Sequence, residues 1–97
     1  MRGYELVLVI SPEIPEEDVP SAIEKVSQFI TGRGGTVAGV NRWGRRKLAY
    51  PIQRHMEGNY VVTQFRLDPD QVASLEASLG LTEEVIRHLV VRTDDED

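Results

Sequence analysis

Two stretches of the 97-residue chain follow one plan. YELVLVISP (residues 4–12) and YVVTQFRLDP (residues 60–69) are each a strand-like run closed by a proline, and each leads into a segment with helical periodicity. After the first, Val19, Ile23, Val26 and Ile30 recur at i, i+4, i+7 and i+11, one stripe of a 3.6-residue period. After the second, Val72, Leu75 and Leu79 form a shorter stripe that ends at Gly80. Two strand–helix units in a chain of this length leave room for one domain, with each helix burying its stripe against a shared sheet. No other feature narrows the fold as much.

The remaining segments complete the two units. Tyr4 to Ile10 is apolar on both parities, as a central strand should be, and Ser11-Pro12 ends it. Pro20 is tolerated only in a first helical turn, so Asp18 is the expected N-cap and residues 15–17 a lead-in turn. The GRGG of residues 32–35 has the glycines of a phosphate loop but no following Lys-Ser or Lys-Thr, and it follows a helix; it reads as a helix C-cap and turn. A second strand runs from Thr36 to about Ile52 with a bulge near Gly44, and Pro51, which lacks a ladder donor, places it at a sheet edge. Glu57-Gly58-Asn59 is expected to turn into a third strand, Tyr60 to Leu67, with Val61, Phe65 and Leu67 facing the core. Asp68-Pro69 opens the second helix as N-cap and first helical residue, Thr82 to Glu84 turns, and Val85 to Arg92 is the last strand. The order βαββαβ predicts an α+β, ferredoxin-like split βαβ fold: a four-stranded antiparallel sheet with two helices on one face.

Charge is distributed unevenly along this scaffold. The formal net charge is -5, but Asp94, Asp95, Glu96 and Asp97 supply four of those charges, so residues 1–93 form a near-neutral domain and 94–97 an acidic, disordered tail. Against that background RWGRRKLAYPIQRH, residues 42–55, holds five of the eleven basic residues and no acid. There are no cysteines, which excludes disulfides and thiolate metal sites. The N-terminal apolar run, Leu6 to Ile10, is too short for a signal peptide or membrane span, so an intracellular protein is expected.

The basic stretch supports two readings. Charges on an edge strand can simply block pairing with other chains, although mixed signs would do this without self-repulsion. Alternatively, guanidinium groups interleaved with aromatics suit RNA, gripping phosphates and stacking on unpaired bases. Arg45, Arg46 and Lys47 are the densest cluster, Arg42, Arg54 and His55 extend it, and Arg2 at the start of the first strand with Arg87 and Arg92 on the last widen it. Strand alternation aims Arg45 and Lys47 to one side and Arg46 to the other, so a flat partner could not meet all three. Trp43 and Tyr50 fit either a core end or a contact surface.

Catalysis finds little support. His55 and His88 have no metal-ligand spacing, no Ser–His–acid set stands out, and SPEIPEED before the first helix would repel the phosphate an acylphosphatase holds there. No cofactor or small-molecule substrate is implied, although a metabolite-binding regulatory domain shares the expected fold. An RNA-recognition motif shares the element order too, but its first-strand aromatic pair is missing, which directs recognition to the edge and loops.

MRGYELVLVISP, WGRRKLAYPI (residues 43–52), EGNY (57–60) and LTEEVIRHLVVR (81–92) together resemble the bacterial small-ribosomal-subunit protein six family, over nearly the whole chain. The resemblance implies a non-catalytic ribosomal protein that acts in translation. It implies binding to the central domain of 16S ribosomal RNA as a heterodimer with ribosomal protein eighteen. Position by position it implies RNA contacts at Arg2, Arg45, Arg46, Lys47, Tyr50, Arg87, His88 and Arg92, beside Arg42 and Arg54 from the basic stretch. The partner protein is expected on the second-strand edge and adjoining sheet, at Trp43, Leu48 and Pro51. Gln53 to Met56 departs from the several basic residues that members often carry before EG, and Pro20 should shift the first helix start.

Overall fold

The computed structural model describes residues 1–93; the acidic stretch 94–97 lies outside the described residues. Strand β1 (Arg2–Ile10) leads through a 3₁₀ turn (Glu16–Asp18) into helix α1 (Val19–Gly32). Strands β2 (Thr36–Ile52) and β3 (His55–Leu67) form a long hairpin, and helix α2 (Pro69–Gly80) precedes β4 (Val85–Arg92). The sheet order is β2-β3-β1-β4, and every neighbouring pair is antiparallel, so the expected ferredoxin-like architecture is present with β2 at an edge.

Both helices cover the same side of the sheet. Tyr4, Leu6, Leu8 and Ile10 of β1 and Val61, Phe65 and Leu67 of β3 pack against Val19, Ala22, Val26 and Ile30 of α1 and Leu75 and Leu79 of α2. Within this core the paired residues Tyr4 and Phe65 stack with ring centroids 5.5 Å apart. The other parity of β1, with Val7 and Val9, faces away from the helices. That second face is open.

Helix starts follow local chemistry with one difference. At α2 the Asp68 carboxylate accepts a hydrogen bond from the Asp70 N–H at 3.2 Å, and Pro69 occupies the first turn, as the sequence predicts. At α1 Asp18 is the residue before the helix, but its side chain makes no capping bond. The 3₁₀ turn already gives Asp18 a helical backbone and satisfies the Val19 N–H through the Glu16 carbonyl, so little remains to cap. The GRGG segment ends α1 by donating from Gly34 to the Thr31 carbonyl and from Gly35 to the Ile30 carbonyl.

The largest correction concerns the hairpin. Glu57-Gly58-Asn59 does not turn; it lies within β3, paired with Lys47, Arg46 and Arg45. The chain reverses instead at Gln53-Arg54, both at positive φ (51° and 70°), between the paired Ile52 and His55. A two-residue turn of this twist suits a hairpin even without the usual Asn-Gly. The β3 strand therefore starts five residues before the expected Tyr60.

Candidate nucleic-acid interface

The β2–β3 hairpin projects beyond the body of the sheet. Strand β1 pairs with β3 only as far as Ile10–Asn59, so the hairpin segments 46–52 and 55–58 run past the end of the β1 ladder. The hairpin carries Arg45, Arg46, Lys47, Tyr50 and Arg54, with Arg42 just behind, all exposed. A protruding ribbon with cations on both faces can enter a groove of folded RNA, which a flat sheet could not.

A bulge decides which way the cations point. Arg42 pairs with Val61 and Gly44 with Tyr60, so Trp43 is an extra residue, and Gly44 takes φ +84°, a conformation that strongly favours glycine. The extra residue puts Arg42 and Arg45 on the same, helix-covered side, where regular alternation would separate them. Trp43 and Arg46 face the open side. Alternation still holds between Arg45, Arg46 and Lys47, as the sequence predicts.

The helix-side arginines have partners within the molecule. Arg42 donates to the Glu16 carboxylate at 3.0 Å, and Arg45 donates to the Pro12 carbonyl at 3.3 Å and lies 4.0 Å from Glu57. Among the described residues, Lys47 and Arg54 make no ion pair. Arg46 stands over the Trp43 ring at 5.4 Å, and the Trp43 ring stacks on Tyr60, 6.4 Å between centroids and 10° from parallel. Trp43 is 49% exposed and Tyr50 56%, so neither fills a core end.

Past Lys47 the ladder breaks off and resumes only at Ile52. Leu48 is half-buried in this irregular stretch and Pro51 exposed, and Tyr50 reaches across to β4. There the Arg87 guanidinium donates to the Tyr50 hydroxyl at 2.9 Å and sits 5.9 Å from its ring centre. Between that contact and Tyr60 runs a groove of about 220 Å³, lined by Val7, Val9, Tyr60, Arg87 and Leu89. The open face thus combines an apolar floor, aromatic rings and two guanidiniums.

Three expected RNA residues lie apart from the hairpin. Arg2 and Arg92 are at the opposite end of the sheet, Arg2 paired with Leu67 and Arg92 with Tyr4. Seven residue-to-residue steps of strand take Arg2 to Val9, about 23 Å. His88 pairs with Leu8 and is half-buried on the helix side of β4, whereas its neighbour Arg87 faces the open side. One compact site cannot include all ten; only an extended ligand can.

The sequence reading missed Glu16, Glu57, Tyr60 and the groove residues. Glu16 is 26 positions from Arg42, and no local pattern joins them. The groove did leave a signal. A strand apolar on both parities, in a sheet whose helices all lie on one side, must turn one apolar row away from the helices.

The ribosomal protein S6 family profile matches residues 3–92. The small ribosomal subunit protein bS6 of Caldanaerobacter subterraneus subsp. tengcongensis is 44% identical over 95 residues, spanning 98% of this chain and 100% of that one. The bS6 of Moorella thermoacetica is 38% identical over 96 residues, 99% of this chain and 98% of its own. The crystal structure of 30S ribosomal protein S6 from Thermotoga maritima superposes with a TM-score of 0.91 at 38% identity, covering 97% of this chain and 89% of that one. A mycobacterial MgtC C-terminal domain, 13% identical with a TM-score of 0.61, shares the fold alone.

Proposed function

The chain belongs to the ribosomal protein S6 family, and from that membership we propose that it binds the central domain of 16S ribosomal RNA jointly with ribosomal protein eighteen. It is a small-subunit ribosomal protein acting in translation, not an enzyme, and its place is the ribosome in the bacterial cytoplasm. The RNA contacts we propose are Arg45, Arg46, Lys47, Tyr50, Arg54 and Arg87 around the hairpin and, further away, Arg42, Arg2, His88 and Arg92. The observation that carries this reading is the projecting hairpin with cations on both faces. Phosphates can approach Arg45 and Lys47 from one side and Arg46 from the other, so binding is by phosphate contact and shape. Partner protein eighteen is proposed to lie on the β2 edge and open face, where Trp43, Leu48 and Pro51 lead into the apolar groove.

The test is titration of a central-domain RNA fragment, with and without the partner, over a salt series. About five phosphate contacts give a log–log salt slope of roughly -3 to -5. Binding that ignores salt, or a variant with Arg45, Arg46 and Lys47 all changed to Ala that binds as well as the native chain, contradicts the proposal.

A further inference from the structure

The acidic lead-in to α1 touches the basic edge of β2. Its Glu16 carboxylate accepts from Arg42 at 3.0 Å, and four residues earlier the Pro12 carbonyl accepts from Arg45 at 3.3 Å. The bulge at Gly44 makes both contacts possible, because it places Arg42 and Arg45 on the side of the sheet where this segment lies. A carboxylate and a phosphate present the same chemistry to a guanidinium, two oxygens sharing negative charge. An anion that binds Arg42 therefore competes with Glu16 for the guanidinium.

We infer that the 12–16 segment is a built-in competitor for RNA phosphate at the helix-side arginines, with Glu16 setting how much of the edge is available to RNA. The inference rests on the proposed RNA binding and adds a residue that lowers affinity. Arg42 remains 39% exposed and Glu16 64% exposed, so the pair is solvent-screened and readily displaced. Its effect is therefore a modest tuning of affinity, unlike a closed gate. The open-face Arg46 and the unpaired Lys47 and Arg54 remain available for first contact.

Titrating the full-length chain and five variants with the central-domain RNA fragment tests this. Glu16→Gln should tighten binding about two- to five-fold, the range of an exposed ion pair. Glu76→Gln, the same charge change on an exposed position of α2 with no ion-paired arginine among the described residues, should tighten it less. Introduced into Arg42→Ala, Glu16→Gln should have no more effect than Glu76→Gln does there. A Glu16→Gln gain equal to that of Glu76→Gln, or a full gain that persists without Arg42, overturns the inference and leaves only net charge. If the native chain binds no RNA at any salt, the RNA-binding reading itself fails, which is a different result from an unchanged affinity. Thermal melting of each variant checks that the fold is kept, as Glu16 lies in an exposed turn.

Discussion

Gly58 shows how strictly a single position can be determined. A Cβ there would collide with Cγ1 of Val9 and come within 3.2 Å of the Ile10 carbonyl oxygen, so β3 can pass the end of β1 only without a side chain. Val9 is itself 2% exposed and has little room to withdraw. Gly58→Ala should therefore destabilise the fold by about 1–3 kcal/mol, the usual cost of overpacking. Val9→Ala removes the opposing methyl groups, so the double variant should recover part of that loss; chemical denaturation of all four proteins measures the coupling. Glu84 makes a second prediction at this scale. A hydrogen bond from Lys25 at 2.9 Å, helped by a backbone hydrogen bond, holds its carboxyl below the usual glutamate range despite partial burial. A depressed folded-state pKa stabilises at pH above the ordinary glutamate value of about 4.3 and is lost as pH falls through the folded value. Glu84→Gln should thus lower the midpoint of thermal melting at pH 7 and converge with the native chain in acid.

At the scale of elements, the hairpin concentrates both the stability question and the binding question. Its turn residues Gln53 and Arg54 both sit at positive φ, where most side chains are strained. Replacing them with Asn-Gly relieves the strain and should stabilise the domain by about 1 kcal/mol. The same change removes the Arg54 guanidinium, so RNA affinity should fall while the melting temperature rises. If the basic edge serves only to prevent strand pairing, a different outcome follows from changing Arg45, Arg46 and Lys47 to Ala: aggregation of the free protein with no loss of partner binding. Light scattering and RNA titration on that one variant separate the two roles. The sequence predicts the strands and helices well because each is set by contacts along its own run: Val19 to Ile30 repeat on one helical face, and Asp68-Pro69 caps locally. It misplaces the turn because Gln53-Arg54 has no turn chemistry, whereas Glu57-Gly58-Asn59 does. Glycine at 58 is required by the approach of Val9, a residue 49 positions away, and reads locally as a turn.

For the whole molecule, the question is how one surface displays cations on two faces. Arg45 and Arg46 are neighbours in the chain, yet the sheet lies between their guanidiniums, and they share no partner. If RNA wraps the hairpin, Arg45→Ala and Arg46→Ala should each weaken binding and their effects should add. If RNA meets one face, one of the two should be neutral. The remote Arg2 extends the same logic: its loss should matter only for a fragment long enough to cover the roughly 23 Å from the hairpin.

By itself the sequence determined the βαββαβ order, the edge position of β2, the bulge at Gly44 and the opposed directions of Arg45 and Arg46. All of these rest on periodicity, on a proline without a donor and on glycine, properties carried by residues close together in the chain. The tertiary structure alone decided where the hairpin turns, that Trp43 lies against Tyr60 and Tyr50 against Arg87, and that Glu16 reaches Arg42. Each of those contacts joins residues at least 17 positions apart. Their geometry depends on sheet register and on the packing of one element against another, which no local pattern encodes.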